Sequence, residues 1–380
     1  DGNVAIRFGG QIKADAGFFL NDDAKAFTDS FSISSARPVI TGTVFRDFDF
    51  TLSGEFGGSS PSLVDAFLEW KYWPGFKVRA GRFKQPFGLE RLQSDVNNWF
   101  TTLGLPSQLV PGRDVGLQIS GDLIDGVFNY AVSVANGVAD GTSALADNND
   151  AKDVTGRLWL QPFKKTDVDA LQGLSVGVAA SYGWQNGQTN SANLASYKTA
   201  CGNTFFSYQT GSTNGAYASG DRIRLSPQFT YFYGRLGLLG EYVISSQEVQ
   251  RGARSANLQT RAWQIAGAFA LTDDQPSFRG LVPKKPFSLK DGQWGAWELV
   301  ARVGQLETDD GVYRGTSATR FANPATQAAD ATAWGVGLNW YWNRNARWFF
   351  DYDQTSFNRG ATTGNRPDEY FVSTRFQVAY

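Results

Sequence analysis

The sequence predicts an all-β protein, a transmembrane antiparallel β-barrel of about sixteen strands in which residues 1–380 form one domain. Three features predict it. Apolar and polar residues alternate at period two in segments of about ten residues. Aromatic residues close the apolar faces. Short connections interleave with longer polar ones.

The alternation is readable segment by segment. Phe48, Phe50, Leu52 and Phe56 alternate with Asp47, Asp49, Thr51 and Glu55. Val336, Leu338, Trp340 and Trp342 alternate with Gly335, Gly337, Asn339 and Tyr341. Trp348, Phe350 and Tyr352 oppose Arg347, Asp351 and Asp353, and Val372, Phe376, Val378 and Tyr380 oppose Ser373, Arg375 and Gln377. A soluble sandwich would alternate too. The aromatics Trp70, Tyr72, Tyr130, Tyr182, Tyr242 and Trp342 at the ends of apolar faces fit the interfacial belts of a membrane barrel instead.

Connection lengths point the same way. Arg46-Asp47, Trp73-Pro74-Gly75, Asp122-Leu123-Ile124-Asp125, Gly234 and Asn343-Arg344-Asn345 are short links. Lys84 to Arg113, Trp184 to Asp221 and Glu307 to Ala329 are long and polar, as external loops are. No stretch approaches the roughly 20 apolar residues of a spanning helix.

Composition removes several functions. The chain has His 0, so it holds no Ser-His or Cys-His nucleophile and no imidazole-bound zinc. Cys201 is the single cysteine, cannot close an internal disulfide, and reads as an inert loop thiol. Asp309-Asp310 and Asp273-Asp274 read as solvated turn residues rather than acid/base pairs. A net charge of −1 argues against a nucleic-acid partner. No enzyme activity, cofactor or metal is expected. The opening Asp1-Gly2-Asn3 is read as a mature start whose leader has been removed.

Parity then assigns charges to the lumen, because a charge facing lipid near the midplane costs about 2–4 kcal/mol. Arg7, Lys13, Lys77, Arg79, Arg157, Arg302, Arg347 and Arg375 fall on polar faces, as do Asp47, Asp49, Glu55, Asp65, Glu69, Glu298 and Asp351. The acidic residues gather on the third and fourth strands and the basic ones on the fifth, which predicts a charge-segregated wall. In Asp221-Arg222-Ile223-Arg224, two guanidinium groups about 7 Å apart share one face. They could pass an oxyanion between them, or pair with luminal carboxylates and set only a general field.

Segments over nearly the whole chain resemble the phosphate-selective porins of Gram-negative bacteria. They are Gly81-Arg82-Phe83-Lys84-Gln85-Pro86-Phe87-Gly88-Leu89-Glu90, Pro111-Gly112-Arg113-Asp114-Val115-Gly116, Ala135-Asn136-Gly137, Phe269-Ala270-Leu271-Thr272, Trp294-Gly295-Ala296-Trp297-Glu298-Leu299-Val300-Ala301-Arg302, Leu338-Asn339-Trp340-Tyr341 and Thr374-Arg375-Phe376-Gln377-Val378. Their order and spacing carry the likeness, and the terminal Tyr380 resembles an assembly signal.

The resemblance implies a sixteen-stranded homotrimer in the outer membrane, in contact with lipid and lipopolysaccharide, each protomer being a passive channel. It implies a constriction loop at 84–113, a second inward-folding loop at 184–221, and a long inward-folding periplasmic turn at 272–293. It also implies an arginine ladder leading to a lysine cluster for small anions such as phosphate. Arg222 and Arg224 match the ladder strand, Arg37 resembles a second ladder position, Arg302 lies on a matching wall strand, and Lys284 and Lys285 are candidates for the cluster. Arg79, Arg91 and Arg113 complete the candidate pore-lining set. Between Lys84 and Arg113 the third loop carries only Arg91, with Glu90 and Asp95, and the fifth loop only Lys198. A highly phosphate-selective member should carry more lysine there. The expected function is an anion-preferring diffusion channel for phosphate or polyphosphate. The alternative is a porin for neutral or mixed solutes such as sugars or organic acids, with Phe67, Trp159 and Tyr341 on luminal parity as an aromatic track.

Overall fold

A computed structural model describes residues 4–21, 28–58, 60–147 and 150–380; Asp1-Gly2-Asn3 lies outside the described residues. Strands form where the alternation runs: β1 (Val4–Phe19), β2 (Ser30–Val44), β3 (Phe48–Glu55), β4 (Ser62–Trp73), β5 (Phe76–Lys84), β6 (Arg113–Leu123), β7 (Phe128–Ala135), β8 (Asp153–Leu160), β9 (Leu174–Asn186), β10 (Ser196–Lys198), β11 (Thr204–Ser207), β12 (Tyr217–Tyr233), β13 (Leu236–Arg251), β14 (Arg254–Ala270), β15 (Ala296–Glu307), β16 (Ala328–Tyr341), β17 (Ala346–Arg359) and β18 (Glu369–Ala379). All but β10 and β11 pair antiparallel with their neighbours in a closed ring, 16 strands in which β1 meets both β2 and β18. Closure leaves no sheet edge unpaired, which a lipid environment requires.

The two faces separate as parity predicts. On β12, Ile223 and Leu225 are 50% and 43% exposed on the outside, whereas Arg222 and Arg224 between them are 2% and 1% exposed on the inside. Val336, Phe350 and Val378 face out; Arg347, Asp351, Arg375 and Gln377 face in and are buried. At the turn end of β15–β18 the outer aromatics form one patch. Trp297 stacks on Trp340 at 5.0 Å, and Phe287 and Trp294 of the long turn join it.

Two connections differ from the sequence reading. β9 and β12 stay paired up to Asn186 and Ser219, so the fifth loop begins later than Trp184. β13 and β14 are joined at the loop end by only Gly252 and Ala253, a tight hairpin where a long loop would be the rule.

The core lies inside the barrel and is asymmetric. The third loop, which contains helix α1 (Leu89–Leu92), crosses the lumen. Its Leu89, Trp99 and Phe100 pack on Leu239, Ala266, Ala268 and Val300 of β13–β15. Above it, the β10–β11 hairpin brings Tyr197, Phe205 and Phe206 against Phe357, Val312 and Phe321. Small inward residues on β14 leave room for this packing. Gly104 of the third loop lies close against Gln264 of β14: a Cβ there would lie 1.4 Å from Gln264 Oε1, so that side chain would have to move.

Candidate functional site

Inward loops close one half of the lumen and leave the other open. On β12–β17 the inward charges Arg224, Arg302, Arg347 and Asp353 are buried under the loops. On β1–β8 the inward charges Arg37, Glu69, Arg79 and Lys84 stay partly exposed, with side chains 13–26% accessible. The open space inside the barrel therefore lies along this wall, beside the third loop.

The charges there are organised around Asp95 in the third loop. Arg37 Nη1 and Lys84 Nζ each reach an Asp95 carboxylate oxygen at 2.7 Å, and Arg113 Nη2 lies 3.7 Å away. Lys13 Nζ donates to the Asp95 carbonyl at 2.7 Å. Lys84 and Arg113 are cross-strand partners at the two roots of the loop, which explains why both reach its middle. Burial alone would raise the Asp95 carboxyl, but the charges of Lys84, Arg113 and Arg37 outweigh it and hold the group far below the usual carboxylate range. Glu55 and Asp65 complete the site by pairing with Arg37 at 3.1 Å and Arg113 at 2.9 Å. Arg37, Lys84 and Arg113, with the buried Lys13 behind them, thus meet Asp95, Glu55 and Asp65 where the third loop crosses the wall, and their donors can attract and transiently hold a hydrated anion.

Comparison with known proteins bears on this architecture. The model of the family described as phosphate-selective porin O and P matches residues 6–380. The chain belongs to that family. Among solved structures, the outer membrane channel DcaP of Acinetobacter baumannii is similar at 10% identity and a TM-score of 0.61, covering 100% of this chain and 98% of that one. OmpT, an outer membrane protein of Vibrio cholerae, is similar at 13% identity and a TM-score of 0.59, covering 98% of this chain and 97% of that one. No curated protein matches significantly. This porin is an outer-membrane channel, and family and barrel together indicate a conduit rather than an enzyme.

Within this porin the expected site residues separate into three groups. Arg37, Arg79 and Arg113 line the open wall, and Arg91 sits beside them, donating to the Ser107 carbonyl at 3.0 Å. Arg222 and Arg224 do not form an open ladder. Arg222 pairs with Asp153 at 3.0 Å, and Arg224 holds Asp140 at 2.6 Å and the Val138 carbonyl at 2.7 Å. Their shared face was readable, but the carboxylates that neutralise them come from strands and loops far along the chain. Arg302 is likewise consumed: it pairs with Asp353 at 2.7 Å, donates to the Thr102 carbonyl at 2.7 Å, and lies 4.2 Å over the Phe100 ring. It fastens the third loop to the wall.

Lys284 and Lys285 are exposed, and Lys284 pairs with Asp273, which also holds Arg235 of the adjacent turn. The part of the long turn that reaches the third loop lies earlier, where Gln93 Nε2 donates to the Phe278 carbonyl at 3.0 Å. Neither lysine joins the constriction. The charge-segregated wall is also corrected. Glu69 is paired with Arg79 at 2.6 Å and Asp49 with Lys71 at 2.7 Å, so neighbouring strands cancel much of the field.

Sequence reasoning missed the central residue. Asp95 had been counted against an anion site, yet it is what gathers the cations. Lys13 and Lys84 were visible, one by parity and one as a loop root, but nothing in the sequence placed them together. Cys201 donates to Glu369 at 2.8 Å, and burial together with that carboxylate pushes its thiol up to about 12, as expected of an inert thiol.

Proposed function

We propose that this porin is an anion-preferring diffusion channel whose solutes pass along the β1–β8 wall, with phosphate or polyphosphate as candidate solutes and a homotrimer as the assembly. The observation that carries the reading is the ring of Lys13, Arg37, Lys84 and Arg113 around Asp95. Arg79 and Arg157 add cations below it on the same wall. Because Asp95 already occupies these donors, a passing phosphate competes with a tethered carboxylate and binds weakly. Weak binding suits a pore: about −4 kcal/mol corresponds to millimolar affinity and fast release.

The aromatic-track reading finds less support. Arg79 lies 4.3 Å over the Phe67 ring and Arg157 4.3 Å over Trp159, so a guanidinium already takes one face of each ring. Tyr341 is buried and donates to Glu298 at 2.7 Å.

Planar-bilayer recording tests the reading. Reversal potentials in a KCl gradient should show chloride preferred over potassium, and millimolar phosphate should reduce the chloride current. Cation preference without phosphate block would contradict it.

A further inference from the structure

Between the base of the third loop and the β3–β8 wall lies a recess of about 430 Å³. That volume falls within the roughly 300–1,000 Å³ typical of small-molecule sites. Its lining has two characters. Phe67, Phe83, Pro86 and Leu92 form an apolar side, with Phe67 and Phe83 edge-to-face at 6.5 Å. Arg79, Lys84, Arg113 and Arg157 supply positive charge.

The four cations are not equivalent. Arg79, Lys84 and Arg113 are engaged by Glu69, Asp95 and Asp65 respectively. Arg157 has no carboxylate partner among the described residues. It donates one hydrogen bond to Gln228 Oε1 at 3.1 Å and otherwise rests on Trp159. Its remaining N–H groups are therefore the donors in the recess that no carboxylate holds at ion-pair distance, Glu241 being reached only through Gln228.

This combination is poorly matched to a bare inorganic ion or to a neutral sugar. A hydrated phosphate gains nothing from Phe67 and Leu92, and a sugar, though its hydroxyls accept hydrogen bonds, brings no charge to pair with the cations. A solute with an anionic head and a flat apolar body uses both sides at once: a carboxylate can take two donors from one guanidinium, while the ring leaves water against aromatic and aliphatic side chains.

We infer that the recess is a binding site for aromatic monocarboxylates, with the carboxylate on Arg157 and the ring against Phe67 and Leu92. The inference rests on the anion-channel reading and names an organic solute class for the same passage. It makes the recess a weak station beside the constriction, where such acids pause after passing Lys84 and Arg113.

The test uses the purified full chain in planar bilayers, with benzoate, acetate and benzyl alcohol added to KCl near neutral pH. Benzoate should halve the chloride current at a concentration about tenfold below that of acetate. Benzyl alcohol, which has the ring without the charge, should do little. Arg157→Gln should erase the advantage of benzoate over acetate, Arg157→Lys should keep most of it, and Phe67→Ala should reduce it. Equal block by benzoate and acetate would overturn the site, as would strong block by benzyl alcohol or a full benzoate advantage in Arg157→Gln. The reversal potential read in the same membranes separates the two claims. A chloride-selective channel with no benzoate advantage removes only the recess, whereas a cation-selective channel removes the anion reading itself.

Discussion

Replacing Asp95 with asparagine is expected to raise chloride-over-potassium selectivity and to lower the phosphate concentration for half-block by about tenfold. The carboxylate holds Arg37 and Lys84 at 2.7 Å each and draws Arg113 to 3.7 Å. Removing its charge leaves the shape of the third loop nearly unchanged but frees those donors for a solute. Close charge pairs in a partly shielded site differ by a few kcal/mol at most, and water in the pore screens part of that, so about tenfold is the expected scale.

Acid should not imitate the substitution. The Asp95 carboxyl is held far below its unfolded value of about 3.9 by Lys84, Arg113 and Arg37. Its charge therefore persists as pH falls from about 7 to about 4, and selectivity should stay flat in that window as far as this group is concerned. The stabilisation it gives the third loop is present above the unfolded value and is lost only as pH falls through the depressed folded one. If Asp95→Asn left both selectivity and phosphate block unchanged, Asp95 would not be the counter-ion of the passage.

Arg302→Met is expected to have the largest structural effect. Arg302 and Asp353 are about 5% accessible in a 2.7 Å pair, and the same guanidinium holds the Thr102 carbonyl and hydroxyl. Removing one partner of a buried pair strands the other charge and typically costs about 3–5 kcal/mol. The barrel should then melt at lower temperature, and the channel should show a noisier current as the tip of the third loop loosens. Other ties remain: Thr101 N donates to Asp351 at 2.7 Å and Gln377 to the Val96 carbonyl at 2.9 Å, so the loop should fluctuate rather than leave. Adding Asp353→Leu should recover much of the heat resistance, because the stranded carboxylate is then gone, while the noise persists. Unchanged melting and quiet current in Arg302→Met would show that the loop is held elsewhere.

The barrel was legible because lipid enforces a period-two code on every strand. A residue's parity tells whether it meets acyl chains or the interior, and Ile223 against Arg224 shows the code at single-residue resolution. Parity does not tell an open interior from a filled one. Arg224 and Arg79 have the same inward parity, yet one is sealed under the β10–β11 hairpin and the other lines the passage. That difference depends on how three long connections pack inside the barrel, and no local pattern encodes it. Partners were equally hidden. Arg222 meets Asp153 across 69 positions and Arg224 meets Asp140 across 84. The lysine pair Lys284-Lys285 misled for the opposite reason: it lies in the expected long turn, but the residue of that turn that reaches the third loop lies several positions earlier, at Phe278. The fifth strand's basic character was read correctly, but its field is cancelled by register, since Glu69 faces Arg79 directly across the ladder.

Solutes are expected to move along β1–β8, with the β12–β17 side sealed. Cysteines introduced at small inward positions can be challenged with a charged methanethiosulfonate reagent while current is recorded. The native Cys201, pushed up to about 12 and bonded to Glu369, should stay silent. Thr51→Cys and Ala131→Cys on the open wall should lose current rapidly, whereas Ser226→Cys and Thr355→Cys, at positions 0% and 2% exposed, should not respond. Rapid modification at Ser226→Cys or Thr355→Cys, with none at Thr51→Cys or Ala131→Cys, would place the passage on the wrong side of the barrel and contradict the account.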